Sequence, residues 1–121
     1  MSTRSYKWMA VVLVCCILFL GWRCFMLYRQ MVTAASVSAQ CETAEHIAAI
    51  DPSPASLAHR LEFLVGYYHG SSNTLVGSPV ARVVERDYEH ALTNILAAFR
   101  RATTNDLGAE PSAWIKAYGP Q

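Results

Sequence analysis

Apolar residues run almost without interruption from Trp8 to Tyr28 (WMAVVLVCCILFLGWRCFMLY), then thin into spaced stripes over the rest of the chain. The run holds 21 residues and one charge, Arg23. As a helix it covers about 31 Å, close to the hydrocarbon thickness of a bilayer. Trp8 at one end, with Trp22 and Tyr28 toward the other, suit the headgroup layers, where an apolar ring with a polar tip is favoured. Arg23 lies five residues from the end of the run, near enough for its long stem to carry the guanidinium to the interface. The segment is apolar on every side, and no other stretch could cover it, which argues against a buried helix of a water-soluble core.

Residues 30–50 (QMVTAASVSAQCETAEHIAAI) are rich in Ala and contain no Pro or Gly. They predict a helical stalk that continues the apolar helix outward, or that breaks near Ser36–Ser38 and restarts. Asp51-Pro-Ser-Pro54 stops any helix, because Pro lacks a backbone donor and disfavours helical geometry in the residue before it. Ser53-Pro54 then reads as an N-cap followed by Pro in the first helical position. Leu57, Leu61, Leu64 and Tyr68 recur at three- and four-residue steps, one stripe of a helix ending at His69-Gly70. The same start recurs at Ser78-Pro79. From there to about Ala102, Val80, Val84, Tyr88, Ala91, Leu92, Ile95 and Phe99 share one face, while Arg82, Arg86, Glu89 and Arg100 fall mainly on the other. Two such helices joined by a ten-residue connection imply an antiparallel hairpin. Asn105-Asp106-Leu107-Gly108 turns the chain, and Glu110-Pro111 opens a short helix whose Trp114, Ile115 and Tyr118 can cap the hairpin's open end.

The predicted class is therefore all-α. A basic tail (1–7) leads into a transmembrane helix (8–28), a juxtamembrane Ala-rich stalk (29–50) and a small helical domain (51–121), a hairpin with a short capping helix. A core of this size supplies only a few kcal/mol, so a partner protein or a second copy is expected to complete some of its apolar surface.

Charge sharpens this division. All nine acids lie beyond residue 41, and the first 40 residues carry Arg4, Lys7, Arg23 and Arg29, a charge of +4. Residues 41–121 carry six cations against nine acids, a net −3, which argues against nucleic acid as a partner. Arg4, Lys7 and the terminal amine favour a cytoplasmic N-terminus, while Arg23 and Arg29 pull the other way. The reading adopted is N-terminus inside and domain extracytoplasmic.

A cleaved signal peptide is the main alternative. Arg4 and Lys7 precede a 15-residue uncharged run, and Val37-Ser38-Ala39 offers a small-residue cleavage pattern that would release a secreted helical protein. That pattern stands 17 residues beyond Trp22, across a spacer that is itself apolar as far as Tyr28, so an uncleaved signal-anchor is preferred. Gln40 is too large and polar to precede a lipid-modified Cys41.

Of the four cysteines, Cys15, Cys16 and Cys24 lie in the apolar run and behave as small hydrophobes. Cys41 alone is expected to face water, where an intermolecular Cys41–Cys41 disulfide in a parallel dimer would use it. There is no Cys-x-x-Cys pair and no Cys/His set at zinc spacing, so no metal or cofactor is expected. Glu42 and His46, four apart, make a poor ligand pair on a stalk. Asp87 and His90, three apart, read as a helix-surface pair rather than a catalytic dyad. No Gly-x-Ser-x-Gly surrounds Ser71, Ser72 or Ser78, and no Gly-rich phosphate loop follows a strand.

Leu96 to Tyr118 (LAAFRRATTNDLGAEPSAWIKAY) resembles a segment of bacterial helical-repeat proteins of the HEAT-like kind. In those, a helix ends in a basic pair and threonines, a polar turn leads to Leu/Phe-Gly, and Asp/Glu-Pro opens a short helix carrying Trp. The matching positions are Arg100, Arg101, Thr103, Asp106, Leu107, Gly108, Glu110, Pro111 and Trp114, within 23 of the 121 residues. No repeat recurs elsewhere in the chain. The resemblance implies an interaction or scaffolding role without a catalytic residue.

The aromatics Tyr67 and Tyr68, and Trp114 and Tyr118, are candidate interface residues, since Tyr and Trp are enriched at binding hot spots. The functional expectation is a membrane-anchored, non-catalytic helical interaction module whose partners are the lipid bilayer and another protein or a second copy of itself.

Overall fold

The computed structural model describes residues 3–120, and they are helical with no strand among them. Four helices follow in chain order: α1 (Thr3–Ile50), α2 (Pro54–Leu75), α3 (Ala81–Thr103) and α4 (Pro111–Tyr118).

Helix α1 runs 48 residues without interruption. No Pro or Gly occurs between Trp22 and Ile50 to break it, so the two chemically different halves share one axis. Its first half is long and apolar enough to cross a membrane by length and composition. Residues 3–25 are all exposed, touching nothing else in the chain that would bury them. The second half behaves differently. Ala34, Val37, Cys41, Ala44 and Ala48, at alternating steps of three and four, are buried. They face α2 and α3, and α1, α2 and α3 pack pairwise. The expected stalk at 29–50 is thus one helix of a three-helix bundle. Its physical reason is side-chain size: a seam of Ala, Cys and a single Val lets two neighbouring helices approach closely.

Asp51 ends α1. Its N–H donates to Ile47 at 2.9 Å, and its carboxylate accepts from the Ser53 N–H at 3.3 Å. Pro54 takes the first helical position of α2 as the sequence predicts. Helix α2 does not stop at His69-Gly70, however. It continues through Gly70 to Leu75, whose burial in the core holds the last turns in place, and the left-handed residue is Gly77 (φ +72°). A glycine inside a helix costs about 1 kcal/mol relative to alanine, less than burying a leucine returns.

The connection to α3 is correspondingly shorter, residues 76–80. There the Ser78 N–H donates to the Leu75 carbonyl at 2.9 Å, and the Ser78 hydroxyl accepts from the Val80 N–H at 3.2 Å. Helix α3 starts at Ala81, two residues later than Pro79 alone suggests, and ends where Thr104 adopts φ +56° and donates its N–H to the Arg100 carbonyl at 3.1 Å. Leu57, Leu61 and Leu64 of α2, Val84, Ile95 and Phe99 of α3, and Trp114 of α4 complete the core. Helix α4 packs on α2, at the end of the bundle away from the 76–80 turn.

Candidate functional site

A polar, open cleft of about 420 Å³ lies between α1 and α3, lined by Ser38, Cys41, Glu42, Glu45, Asp87 and His90 among others. Its polar groups are joined across the two helices. The Ser38 hydroxyl donates to Asp87 Oδ2 at 2.8 Å. Glu45 Oε1 lies 3.0 Å from His90 Nδ1 and accepts from Asn94 Nδ2 at 2.9 Å. Asp87 and His90 therefore do not pair with each other. Each turns to a different residue of α1, which ties two helices together and leaves neither oriented as a base for the other.

Cys41 lies at the floor of this cleft and is only 3% exposed. Burial first, then the nearby Asp87 and Glu45 carboxylates, push its thiol up to about 11. A thiol so protonated is a poor nucleophile and a poor metal ligand at neutral pH. This corrects the expectation of a water-facing cysteine: the α1 seam turns it inward, and a Cys41–Cys41 bridge would require the bundle to open. Glu42 and His46 are both exposed on α1. No group of three or more His, Cys, Asp or Glu side chains among the described residues is disposed to hold a metal ion.

The four candidate interface aromatics are not brought together on one open face. Trp114 is 0% exposed, its indole Nε1–H donating to the Gly108 carbonyl at 3.0 Å and its ring 4.9 Å from that of Phe99. Tyr118 is half-buried against Phe99, with centroids 5.7 Å apart, and its hydroxyl accepts from Asn105 Nδ2 at 3.3 Å. Tyr67 hydrogen-bonds Ser36 across the α1–α2 contact and stacks on Phe63. Tyr68 stacks face to face on Tyr88 of α3 at 3.9 Å. Burial raises the phenol pKa of both members of that pair, the neighbouring Glu85 and Glu89 adding to the shift at Tyr68. All four aromatics thus serve contacts within the chain, because the bundle's narrow faces need large side chains to close them.

The segment that carries the helical-repeat resemblance forms a compact clamp. Arg100 donates through Nε to Asp106 Oδ1 at 3.0 Å and through Nη2 to the Gly108 carbonyl at 3.2 Å. The same Asp106 oxygen accepts from the Gly108 N–H at 2.9 Å. Gly108 stands at φ +87°, a conformation that favours glycine, and its carbonyl is shared by Arg100 and Trp114.

Sequence spacing alone would have missed the α1–α3 cleft, since Ser38 and Asp87 lie 49 residues apart. The one signal available was the three-four repeat of small residues from Ala34 to Ala48, which marks a buried seam. Comparison with family models, with curated proteins and with solved structures returns no match to this chain.

Proposed function

We propose that this chain is a single-pass, membrane-anchored helical interaction or scaffolding module without catalytic activity, its first helix retained as an uncleaved anchor. The observation that carries the reading is Val37. It is 0% exposed in the bundle core, yet stands upstream of the cleavage pattern that ends at Ala39. Cleavage there would divide α1 in mid-helix and remove Ala34 and Val37 from the core. The exposed apolar stretch from Trp8 to Phe25 supports the other half of the reading, since an aqueous setting gives such a surface nothing to bury against.

The cleft chemistry favours a binding role over catalysis: Asp87, Glu45 and His90 are engaged in holding α1 to α3, and burial keeps the Cys41 thiol protonated at neutral pH. The partner is another protein or a second copy of the chain. The N-terminus is read as cytoplasmic and the bundle as extracytoplasmic, on Arg4 and Lys7. A reporter fused after Gln121 and active only in the cytoplasm reverses that orientation.

The decisive experiment is alkaline carbonate extraction combined with intact-mass measurement on the membrane fraction. Retention with residues 1–39 present is the expected result. A polypeptide that washes off, or that begins at Gln40, overturns the anchored reading.

A further inference from the structure

The bundle has two ends, and they differ in chemistry. Ser36 on α1 faces Tyr67 on α2, and Ser38 on α1 faces Asp87 on α3. Counting back along α2, antiparallel to α1, brings Val76 level with about Met26 and Leu27. A shallow cleft lined by Met26, Arg29, Gln30, Asn73, Thr74 and Val76 agrees with that count. Counting along α3, parallel to α1, brings Arg82 level with about Thr33. The α2–α3 turn therefore stands at the height where the apolar run of α1 ends, at Tyr28.

Two features of that end match a lipid surface. Val76, at the tip of the turn, is 74% exposed, and Met31 and Val32 of α1 are exposed close to the same height. The charge there is one-sided. No acid occurs before Glu42 on α1, and none between Glu62 on α2 and Glu85 on α3, whereas Arg23, Arg29 and Arg82 all fall on the near side. By the same register Glu85 is level with about Ser36, about 12 Å beyond Tyr28 along the axis and more than a Debye length at physiological salt. The last turns of α2 supply Ser71, Ser72, Asn73 and Thr74, uncharged hydrogen-bonding side chains of the kind a headgroup layer accepts.

We infer that the α2–α3 turn, residues 76–80, docks into the phospholipid headgroup layer, with Val76 entering the acyl boundary and Arg29 and Arg82 meeting lipid phosphates. Val76 then loses its exposed apolar surface, as amphipathic elements do at this depth, and the cations gain charge-assisted hydrogen bonds to phosphate oxygens, which either leaflet presents. The inference rests on the anchored reading of α1, because only an embedded span brings Tyr28 to the interface. With the turn seated, the bundle is held to the membrane at two points rather than one, which fixes its tilt.

The test uses the full chain in vesicles of phosphatidylcholine and phosphatidylglycerol. Cys15, Cys16 and Cys24 are replaced by Ala, and buried Cys41 is left in place. Single cysteines are introduced as Phe19→Cys, Val76→Cys and Leu107→Cys, each carrying an environment-sensitive fluorophore. Asn73→Cys repeats the reading in case a label at the tip disturbs the turn. Quenching by lipid-borne nitroxides and by aqueous iodide is then compared. The expected result is deep lipid quenching at Phe19, shallow lipid quenching at Val76 and Asn73, and iodide quenching at Leu107. Iodide access at Val76 should be about fivefold below that at Leu107. Arg82→Glu should restore much of that access. Iodide access at Val76 equal to that at Leu107, with Phe19 still quenched from lipid, overturns the docking and leaves the anchor intact. Iodide access at Phe19 overturns the anchor and the docking together.

Discussion

The hydroxyl of Ser38 reaches Asp87 at 2.8 Å, joining the helix that leaves the apolar run to a helix 49 residues further along the chain. Ser38→Ala removes the donor and leaves a part-buried carboxylate with a lost partner. A hydrogen bond to a charged group is worth about 1.5–3 kcal/mol, and the variant should lose stability of that order. Thermal denaturation followed by circular dichroism in detergent micelles reads it. A loss confined to a few tenths of a kcal/mol would mean that water replaces the serine.

The small-residue seam on α1 makes a sharper prediction. Ala44→Leu inserts a large side chain where α1 meets α2 and α3, at an expected cost of about 1–3 kcal/mol. Ala49→Leu, five residues further on at an exposed position, should fall within about 0.5 kcal/mol of the parent. Equal tolerance at both positions would return residues 29–50 to the status of a free stalk.

Trp114→Ala should destabilise the bundle by about 3–5 kcal/mol, since a fully buried indole leaves a cavity behind and the Gly108 carbonyl keeps only Arg100 as a donor. Trp114→Phe retains most of the ring packing and should cost less. Both are read by denaturant midpoints. Intact stability with lost self-association in Trp114→Ala would instead make this residue a contact surface.

Cys41 should resist alkylation at pH 8 in the folded protein and react on addition of denaturant, because its thiol is buried and its pKa raised to about 11. The corresponding stability term is present below the ordinary thiol pKa of 9.0 and is lost as pH rises through about 11. A non-reducing gel of folded material should show no Cys41-linked dimer. Rapid labelling under native conditions would show that the α1–α3 contact opens readily.

Asp106 provides the acid-side counterpart. The Gly108 N–H first, and then Arg100, hold its carboxyl below the ordinary value of 3.8. A folded-state pKa below the unfolded one means that the contribution is present above about 3.8 and disappears as pH falls through the lower folded value. Acidification should therefore lower the protection of the Gly108 amide against exchange, and Asp106→Ala, which removes the acceptor, should do the same at neutral pH. Hydrogen exchange of that amide, read as protection relative to the unfolded chain at the same pH, checks both, and unchanged protection would mean that Arg100 and Trp114 hold the turn without it.

Much of the architecture was readable from local signals. Ser53-Pro54 and Glu110-Pro111 open α2 and α4 at the expected residues, because Pro in the first helical position acts through its own geometry and needs no tertiary context. The end of α3 near Thr103 and the turn at Asn105–Gly108 are legible for a similar reason. Gly70 misled because a glycine permits a left-handed turn without requiring one. Leu75, five residues on, finds the core, and Gly77 closes the helix instead. The role of residues 34–48 was obscured by low contrast: alanines are acceptable to water and to a core alike, so only the spacing, and not the chemistry, marks the buried face. The cleft at Ser38, Glu45, Asp87 and His90 depends on the relative rotation of α1 and α3, which no short stretch of sequence encodes.

The absence of any break in α1 between Tyr28 and Ile50 has a mechanical corollary. A continuous helix is stiff in torsion, so turning the apolar half about its axis would swing the α2–α3 hairpin around it like a vane on a shaft. Such a joint passes on rotation and axial displacement alike.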